Sequence, residues 1–295
     1  MKSALIAIDP MVLKGKAFER LCEMIRRFQD EGLFSRAFVV SVIQPSQFLM
    51  PYADFRKDKD ELAREAQANV KRACSGKFEF SSVRVLQAVS DTNEEIVDLL
   101  SKHSKRFGVD VLVVGSNDRR GLPYWFLGSL SETASLTAKI PVLVLKNSAF
   151  QVRLPQKPNF VVAVDVAAPP QAQQISWLVR LAKVTDASVH LIYVEPLVRP
   201  VIDRLQQRKN HEEATRILKR MEGAIKSSGV FVHASIREET RSIAHTIVEF
   251  AEEKRASLTL VTTPKRSKVR KLLLGSNARH VLALTKRPLL SLRMN

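Results

Sequence analysis

Cysteine and glycine are scarce in this chain, and it has no long apolar run. Only 2 cysteines and 10 glycines occur among 295 residues, which excludes a disulfide scaffold and a fibrous or low-complexity protein. Apolar residues make up 45% of the chain, too many for a disordered protein. No run approaches the roughly 20 apolar residues that span a bilayer, so we expect no membrane segment and a cytoplasmic location.

The cysteines and histidines show no metal-binding spacing. Cys22 and Cys74 stand 52 residues apart without a CxxC pattern, and both fall in helical patterns typical of buried structural thiols. His211-Glu212-Glu213 lacks the second histidine, four residues after the first, that a zinc helix needs. We therefore predict neither a metal site nor a redox pair.

Positive charge is concentrated in the second half. Residues 1–150 hold 22 Lys and Arg against 18 Asp and Glu, whereas residues 151–295 hold 25 against 12. The net charges of the halves are thus +4 and +13. Such a field attracts polyanions or acidic partners, although a solubilising face explains any single cation equally well.

The two halves repeat one another. Gly128-Ser129 recurs as Gly275-Ser276, an offset of 147 residues, and the apolar run at 111–114 recurs at 258–261 with the same offset. The first apolar run and its terminal aspartate, at 4–9, recur at 160–165. A linker with two prolines separates the copies, and we predict domains at residues 1–147 and 159–295.

Short apolar runs alternate with helical stripes inside each copy. Runs at 4–8, 37–43, 83–89, 111–114 and 142–145 read as strands buried on both faces. Right-handed crossovers then predict an α/β fold of two tandem, doubly wound, five-stranded parallel-sheet domains, for which we expect flavodoxin-type winding. A ligand should bind beyond the carboxyl ends of the first and fourth strands, where the winding reverses.

The loop after the fourth strand of the first copy contains glycines and leads into a helix. Gly115 opens this loop, and Gly128-Ser129 begins the helix, where free backbone N–H groups favour an anion. Ser129 and Glu132 also fit a capping box, which explains the serine without any ligand. Spacing alone leaves both interpretations open.

These features together resemble the universal stress protein family, present here as a tandem pair. The resemblance covers nearly the whole chain and implies a fold like that of the adenine nucleotide alpha hydrolases. Nucleotide-binding members carry G-x-x-G, nine residues and then G-[S/T], and they bind ATP or AMP. Gly115, Gly128 and Ser129 match that motif, but Asp118 replaces its second glycine. A carboxylate there repels phosphate, and its Cβ adds bulk.

The resemblance also implies contacts with the nucleoside. Asp9 and Asp165 stand where the family places an acidic residue near the base and ribose, and Val42 and Val194 match a valine whose backbone meets adenine. Capping of the following turn explains the aspartates equally well. Pro10 is unusual, because it removes a backbone donor at the mouth of the crevice.

The second copy departs further from the family motif. Its motif positions are Thr262, Lys265, Gly275 and Ser276, so both early glycines are missing. Residues 264–271 hold five cations, which can attract a phosphate but do not position an adenosine. We expect this second site to be degenerate.

Three classes of function are consistent with the sequence. The first is a regulatory stress-response protein that binds ATP or AMP in the first domain. The second is a nucleotide-independent scaffold or partner-binding module whose domains pair within the chain, with a further homodimer left open. Binding of an acidic partner or nucleic acid through the basic second domain ranks third. No nucleophile elbow, complete Walker A motif or Cys-His arrangement occurs, so we expect no enzymatic role.

Overall fold

The chain divides into two compact units, Met1–Phe150 and Gln151–Asn295. The structure, a computed structural model, describes residues 2–48, 58–116, 130–146, 157–197, 204–262 and 276–292. Each unit alternates strands with helices along the chain, and every strand pair within a unit is parallel. The predicted α/β class and tandem organisation are confirmed.

The first unit contains five strands in the spatial order β3-β2-β1-β4-β5. Its elements are β1 (Ser3–Ala7), α1 (Lys16–Asp30), β2 (Arg36–Ile43), α2 (Pro45–Phe48), α3 (Lys59–Cys74), β3 (Ser82–Gln87), α4 (Asn93–Phe107), β4 (Val111–Ser116), α5 (Leu130–Thr137) and β5 (Val142–Lys146). All five strands coincide with the apolar runs found in the sequence.

The second unit repeats this order as β8-β7-β6-β9-β10. Its elements are β6 (Asn159–Ala163), α6 (Ala172–Val184), β7 (Ser188–Glu195), α7 (Arg204–Lys226), β8 (Val232–Glu238), α8 (Ile243–Glu253), β9 (Leu258–Thr262), α9 (Ser276–Leu284) and β10 (Leu289–Leu292). The register preserves the repeat, because Gly115 lies opposite Leu145 and Thr262 opposite Leu292, each 147 residues later.

The expected flavodoxin-type winding is wrong. Flavodoxin-like sheets place the second strand at the edge, in the order 2-1-3-4-5, whereas here the third strand is the edge and the second lies inside. The physical reason is burial. Of the six residues in β3 only Val83 is buried, whereas five of the eight in β2 are. A strand with exposed side chains is stable at an edge, and one that is apolar throughout needs neighbours on both sides.

Both cysteines are buried, as predicted for structural thiols. Cys22 lies on the inner face of α1 and Cys74 at the end of α3. Burial raises the pKa of the Cys22 thiol to about 12, with a further contribution from Cys74, and burial raises the pKa of Cys74 to about 11. The thiolate is the reactive form, so these thiols are inert at neutral pH.

Candidate functional site

The winding direction reverses between β1 and β4 in the first unit and between β6 and β9 in the second. These strands pair side by side, and the chain leaves their carboxyl ends toward opposite sides of the sheet. A crevice at this edge is the usual ligand position in open α/β sheets. The structure brings three predicted residues of the first unit to this edge, namely Asp9, Val42 and Gly115.

Asp9 caps the turn that follows β1. Its Oδ1 accepts a hydrogen bond from the backbone N–H of Met11 at 2.9 Å, and its carbonyl accepts one from the N–H of Val12. Asp165 has the same arrangement, with Oδ1 accepting from the N–H of Ala167 at 3.0 Å. Both aspartates are exposed, and both use one carboxylate oxygen for the turn.

The backbone of Val42 faces the side of β2 on which β1 has ended. Successive residues of a strand direct their N–H and C=O groups to opposite neighbours. The carbonyl of Val40 accepts from the N–H of Ile8, so the polar groups of Val42 point the same way, two residues further on. The position that would donate to the Val42 carbonyl is residue 10, which is a proline without an N–H.

Ser41 fixes the end of β1 beside this position. It is 1% exposed, and its Oγ donates to the carbonyl of Ile8 at 2.7 Å. The Ser41 hydroxyl is therefore a hydrogen-bond donor to the Ile8 carbonyl at the point where the backbone hydrogen bonds between β1 and β2 end. The mouth of the crevice is held by a side chain as well as by the Asp9 turn.

We expect Ser41→Ala to lower the free energy of unfolding by about 1–2 kcal/mol, because it leaves the buried Ile8 carbonyl without this donor. The measurement is the urea midpoint at unchanged slope. Ser46→Ala is the matched control: its hydroxyl bonds to exposed Asp91, and its loss should cost less than about 0.5 kcal/mol. Equal midpoints for the two variants would contradict the anchoring role of Ser41.

Gly115 lies exposed at the carboxyl end of β4, against helix α1. A Cβ at this position would stand 3.4 Å from Leu21 Cδ2 and 3.6 Å from Leu21 Cδ1. Both are ordinary van der Waals distances, so an alanine would also fit here, and packing against α1 does not by itself require the glycine. Of the other predicted residues in this unit, Asp118, Gly128 and Ser129 lie outside the described residues.

The second unit has a different crevice edge. Thr262 stands in place of Gly115, and its buried Oγ1 has no hydrogen-bond partner among the described residues. Val194 lies at the end of β7, buried, in place of half-buried Val42. Lys265 and Gly275 lie outside the described residues, and of Ser276 only its place at the start of α9 is described.

Several carboxylates lie near Tyr193 at the crevice edge of the second unit. Glu195 follows Val194, where the first unit has Ile43, and its side chain is 11% exposed with Oε1 3.3 Å from His211 Nδ1. Burial raises the pKa of Tyr193, and Glu195, Asp165 and Glu213 raise it further. This negative field opposes binding of a phosphate nearby.

Sequence reasoning missed the group formed by Glu195, Tyr193 and His211. The sequence did contain a signal for Glu195. The offset of 152 residues that aligns Val42 with Val194 also aligns Glu195 with Ile43, so an acid replaces an apolar residue. Within the described ranges, no three His, Cys, Asp or Glu side chains are placed to hold a metal ion. The described helices include none long and apolar enough to cross a membrane.

The fold and its crevice edges define the class of protein: two tandem, doubly wound α/β units with their winding reversals at the first and fourth strands. A model of the universal stress protein family matches residues 1–146 and 158–293. The chain belongs to the universal stress protein family.

Two solved structures that match nearly the whole chain show the same fold. A universal stress protein from Archaeoglobus fulgidus DSM 4304 has a TM-score of 0.61 at 18% identity, covering 99% of this chain and 96% of that chain. A putative universal stress protein from Pseudomonas aeruginosa UCBPP-PA14 has a TM-score of 0.59 at 18% identity, covering 99% and 93%. A shorter A. fulgidus family member, solved in complex with dAMP, has a TM-score of 0.36 at 19% identity, covering 48% and 99%. No curated protein matches the chain.

Proposed function

We propose that this universal stress protein is a regulatory stress-response protein that binds one adenine nucleotide, ATP or AMP, in its first unit. The observation that carries the proposal is the direction of the Val42 backbone at the end of β1. Its carbonyl has no N–H opposite, because Pro10 occupies the donor position of the ladder. A free carbonyl beside a free N–H is a recognition element for a base edge.

Adenine fits this pair of backbone groups chemically. Its amino group donates a hydrogen bond, and the adjacent ring nitrogen accepts one, whereas guanine has a carbonyl oxygen in place of the amino group. The Val42 carbonyl would accept from the adenine amino group and repel the guanine oxygen. Asp9 keeps one carboxylate oxygen outside its turn for a ribose hydroxyl.

The phosphate would lie toward the glycine loop. Gly115, Gly128 and Ser129 are the motif residues that we assign to it, and the start of the helix supplies backbone donors. Asp118 adds a negative charge on this path, which opposes three phosphates more strongly than one. We therefore expect AMP to lose less affinity than ATP from this substitution.

The second unit is proposed not to bind nucleotide specifically. Thr262 and Lys265 replace the early motif glycines, and the carboxylates near Tyr193 oppose phosphate. Val166 corresponds to Pro10 and, unlike the proline, has a backbone N–H. Gly275 and Ser276 are the retained part of the motif. We propose no catalytic turnover in either unit.

The test is equilibrium binding of ATP and AMP by calorimetry. We expect saturable binding to the wild type with a stoichiometry of one per chain. Gly128→Val should weaken it at least tenfold, because a side chain there blocks close approach of phosphate to backbone. Gly223→Val is the matched control, since a Cβ at Gly223 meets nothing within 4 Å.

The alternative is a scaffold that acts without nucleotide, and the substitution at Asp118 favours it. Absence of saturable binding in the wild type, with both ATP and AMP, would refute the proposal and leave the nucleotide-independent classes of function. A stoichiometry of two would contradict the assignment of the second site as degenerate. GTP binding equal to ATP binding would contradict the role of the Val42 carbonyl.

A further inference from the structure

Helix α7 of the second unit exposes a row of cations. Arg216, Lys219, Arg220, Gly223 and Lys226 follow one another at spacings of three and four residues, which places them on one helix face. All five are exposed, and the opposite face is buried. The buried residues are Ala214, Ile217, Leu218, Met221 and Ile225. We call the five exposed positions the α7 basic face.

The cations of this face make no ion pair with any described residue. Glu212, one turn before Arg216, is the nearest acid on the same side of the helix, and no ion pair joins the two. Glu213 lies further round the helix, and Glu222 is half-buried at its flank. From residue 216 to 226 the face is therefore wholly basic, over about 15 Å of helix.

The equivalent helix of the first unit has a different charge. Helix α3 carries four cations and three acids, a net of +1, whereas α7 carries seven cations and three acids, a net of +4. Both helices pack on the strands that follow them, so the structural requirement is the same. The additional charge of α7 is therefore not needed to build the fold.

The residue types of the α7 basic face indicate which class of partner it would bind. Protein interfaces are built around buried aromatic and aliphatic anchors and are depleted in lysine, but this face has no apolar side chain. Single-stranded nucleic acid requires aromatic side chains for base stacking, which are also absent from the face. Arginine and lysine without such anchors match the phosphates of a duplex, whose backbone carries one charge per about 1.7 Å.

Gly223 adds a second feature at the middle of the face. Glycine within a helix costs roughly 0.5–1 kcal/mol relative to alanine. The space above it is empty, since a Cβ would meet nothing within 4 Å. It leaves a gap between the Arg220 and Lys226 side chains in which a backbone can come close to the helix.

We propose that the α7 basic face binds the phosphate backbone of double-stranded nucleic acid without sequence preference. The site is separate from the nucleotide crevice of the first unit and does not depend on it. Each cation that contacts a phosphate releases counterions on binding. Affinity should therefore fall steeply as salt rises, and the slope counts the contacts.

The test is fluorescence anisotropy with a labelled 20-base-pair DNA duplex over a salt series. The triple variant Arg216→Gln, Lys219→Gln, Arg220→Gln should bind at least tenfold more weakly at low salt. Its logarithmic salt slope should be shallower than that of the wild type by about 2–3, roughly 0.9 for each lost contact. These exposed substitutions should leave the urea midpoint unchanged.

The matched control is Arg64→Gln, Lys71→Gln, Arg72→Gln on α3, which removes the same number of exposed cations and should keep wild-type affinity and slope. Equal losses in the two triple variants would overturn the proposal, since binding would then follow net charge. A loss confined instead to a variant neutralised at Lys265, Arg266 and Lys268 would also overturn it. So would α7-dependent binding of poly-glutamate as tight as that of the duplex.

Discussion

Phe160→Ala is expected to lower the free energy of unfolding of the second unit by about 3–5 kcal/mol. Phe160 lies in β6, at the centre of the sheet, opposite Val189 of β7 and Leu258 of β9. It is 1% exposed, so truncation removes its transfer free energy and leaves a cavity that paired strands cannot close. The loss should be a large fraction of the stability of one domain.

The measurement is urea unfolding followed by tryptophan fluorescence in a Trp125→Phe background. Trp177, on the buried face of α6, is then the remaining tryptophan and reports the second unit alone. Phe231→Ala is the matched control in the same unit. Its ring is 65% exposed, so its removal should change the free energy by less than about 0.5 kcal/mol. Similar effects of the two truncations would show that Phe160 is not a core residue.

Glu252→Ala should destabilise the second unit by about 3 kcal/mol, because it leaves the buried Arg287 guanidinium without its carboxylate partner. The Arg287 side chain is 5% exposed; its Nη2 lies 2.6 Å from Glu252 Oε2, and its Nη1 donates to the Ala256 carbonyl at 2.6 Å. The Glu252 side chain is 44% exposed, which puts the effect at the low end of the range for buried pairs. The same tryptophan assay measures it.

Arg287→Ile should cost about 1–2 kcal/mol, less than Glu252→Ala, although it breaks the same ion pair and leaves the buried Ala256 carbonyl without its Nη1 donor. It removes the buried charge together with the bond, and the exposed carboxylate of Glu252 remains solvated. Ile140 is the residue at the matching position of the first unit, which shows that this turn accommodates isoleucine. A larger loss for Arg287→Ile than for Glu252→Ala would contradict this account.

The periodicity of apolar residues in the sequence was sufficient to predict the strands, the helices and the internal repeat. The runs at 4–8 and 111–114 are apolar at every position, and this pattern is typical of central strands. The structure places β1 and β4 inside the sheet. The order of the outer strands was not predicted, because it depends on how exposed each strand can be. The polar residues of β3, such as Arg84 and Gln87, were the unused indication of an edge.

The candidate site could be predicted only in part, because some of its features depend on strand pairing and not on neighbouring residues in the sequence. The turn-capping interpretation of Asp9 followed from one residue and its neighbours, and the structure shows that bond. The openness of the Val42 carbonyl depends on the register between β1 and β2, which local sequence does not specify. The charge around Tyr193 comes first from Glu195 on the same strand, and then from Asp165 and Glu213, which the fold brings near it. The binding roles of the assigned residues stay predictions.

The turn at Asp9 and the anchor at Ser41 bear on how a molecule would enter the crevice. Both are complete within the chain: a carboxylate holds its own loop, and a hydroxyl holds the strand end. This rim is preorganised, so an incoming molecule would spend little conformational entropy on ordering it. Ordering of the Asp9 turn and of the β1 end should therefore add little to the barrier for association.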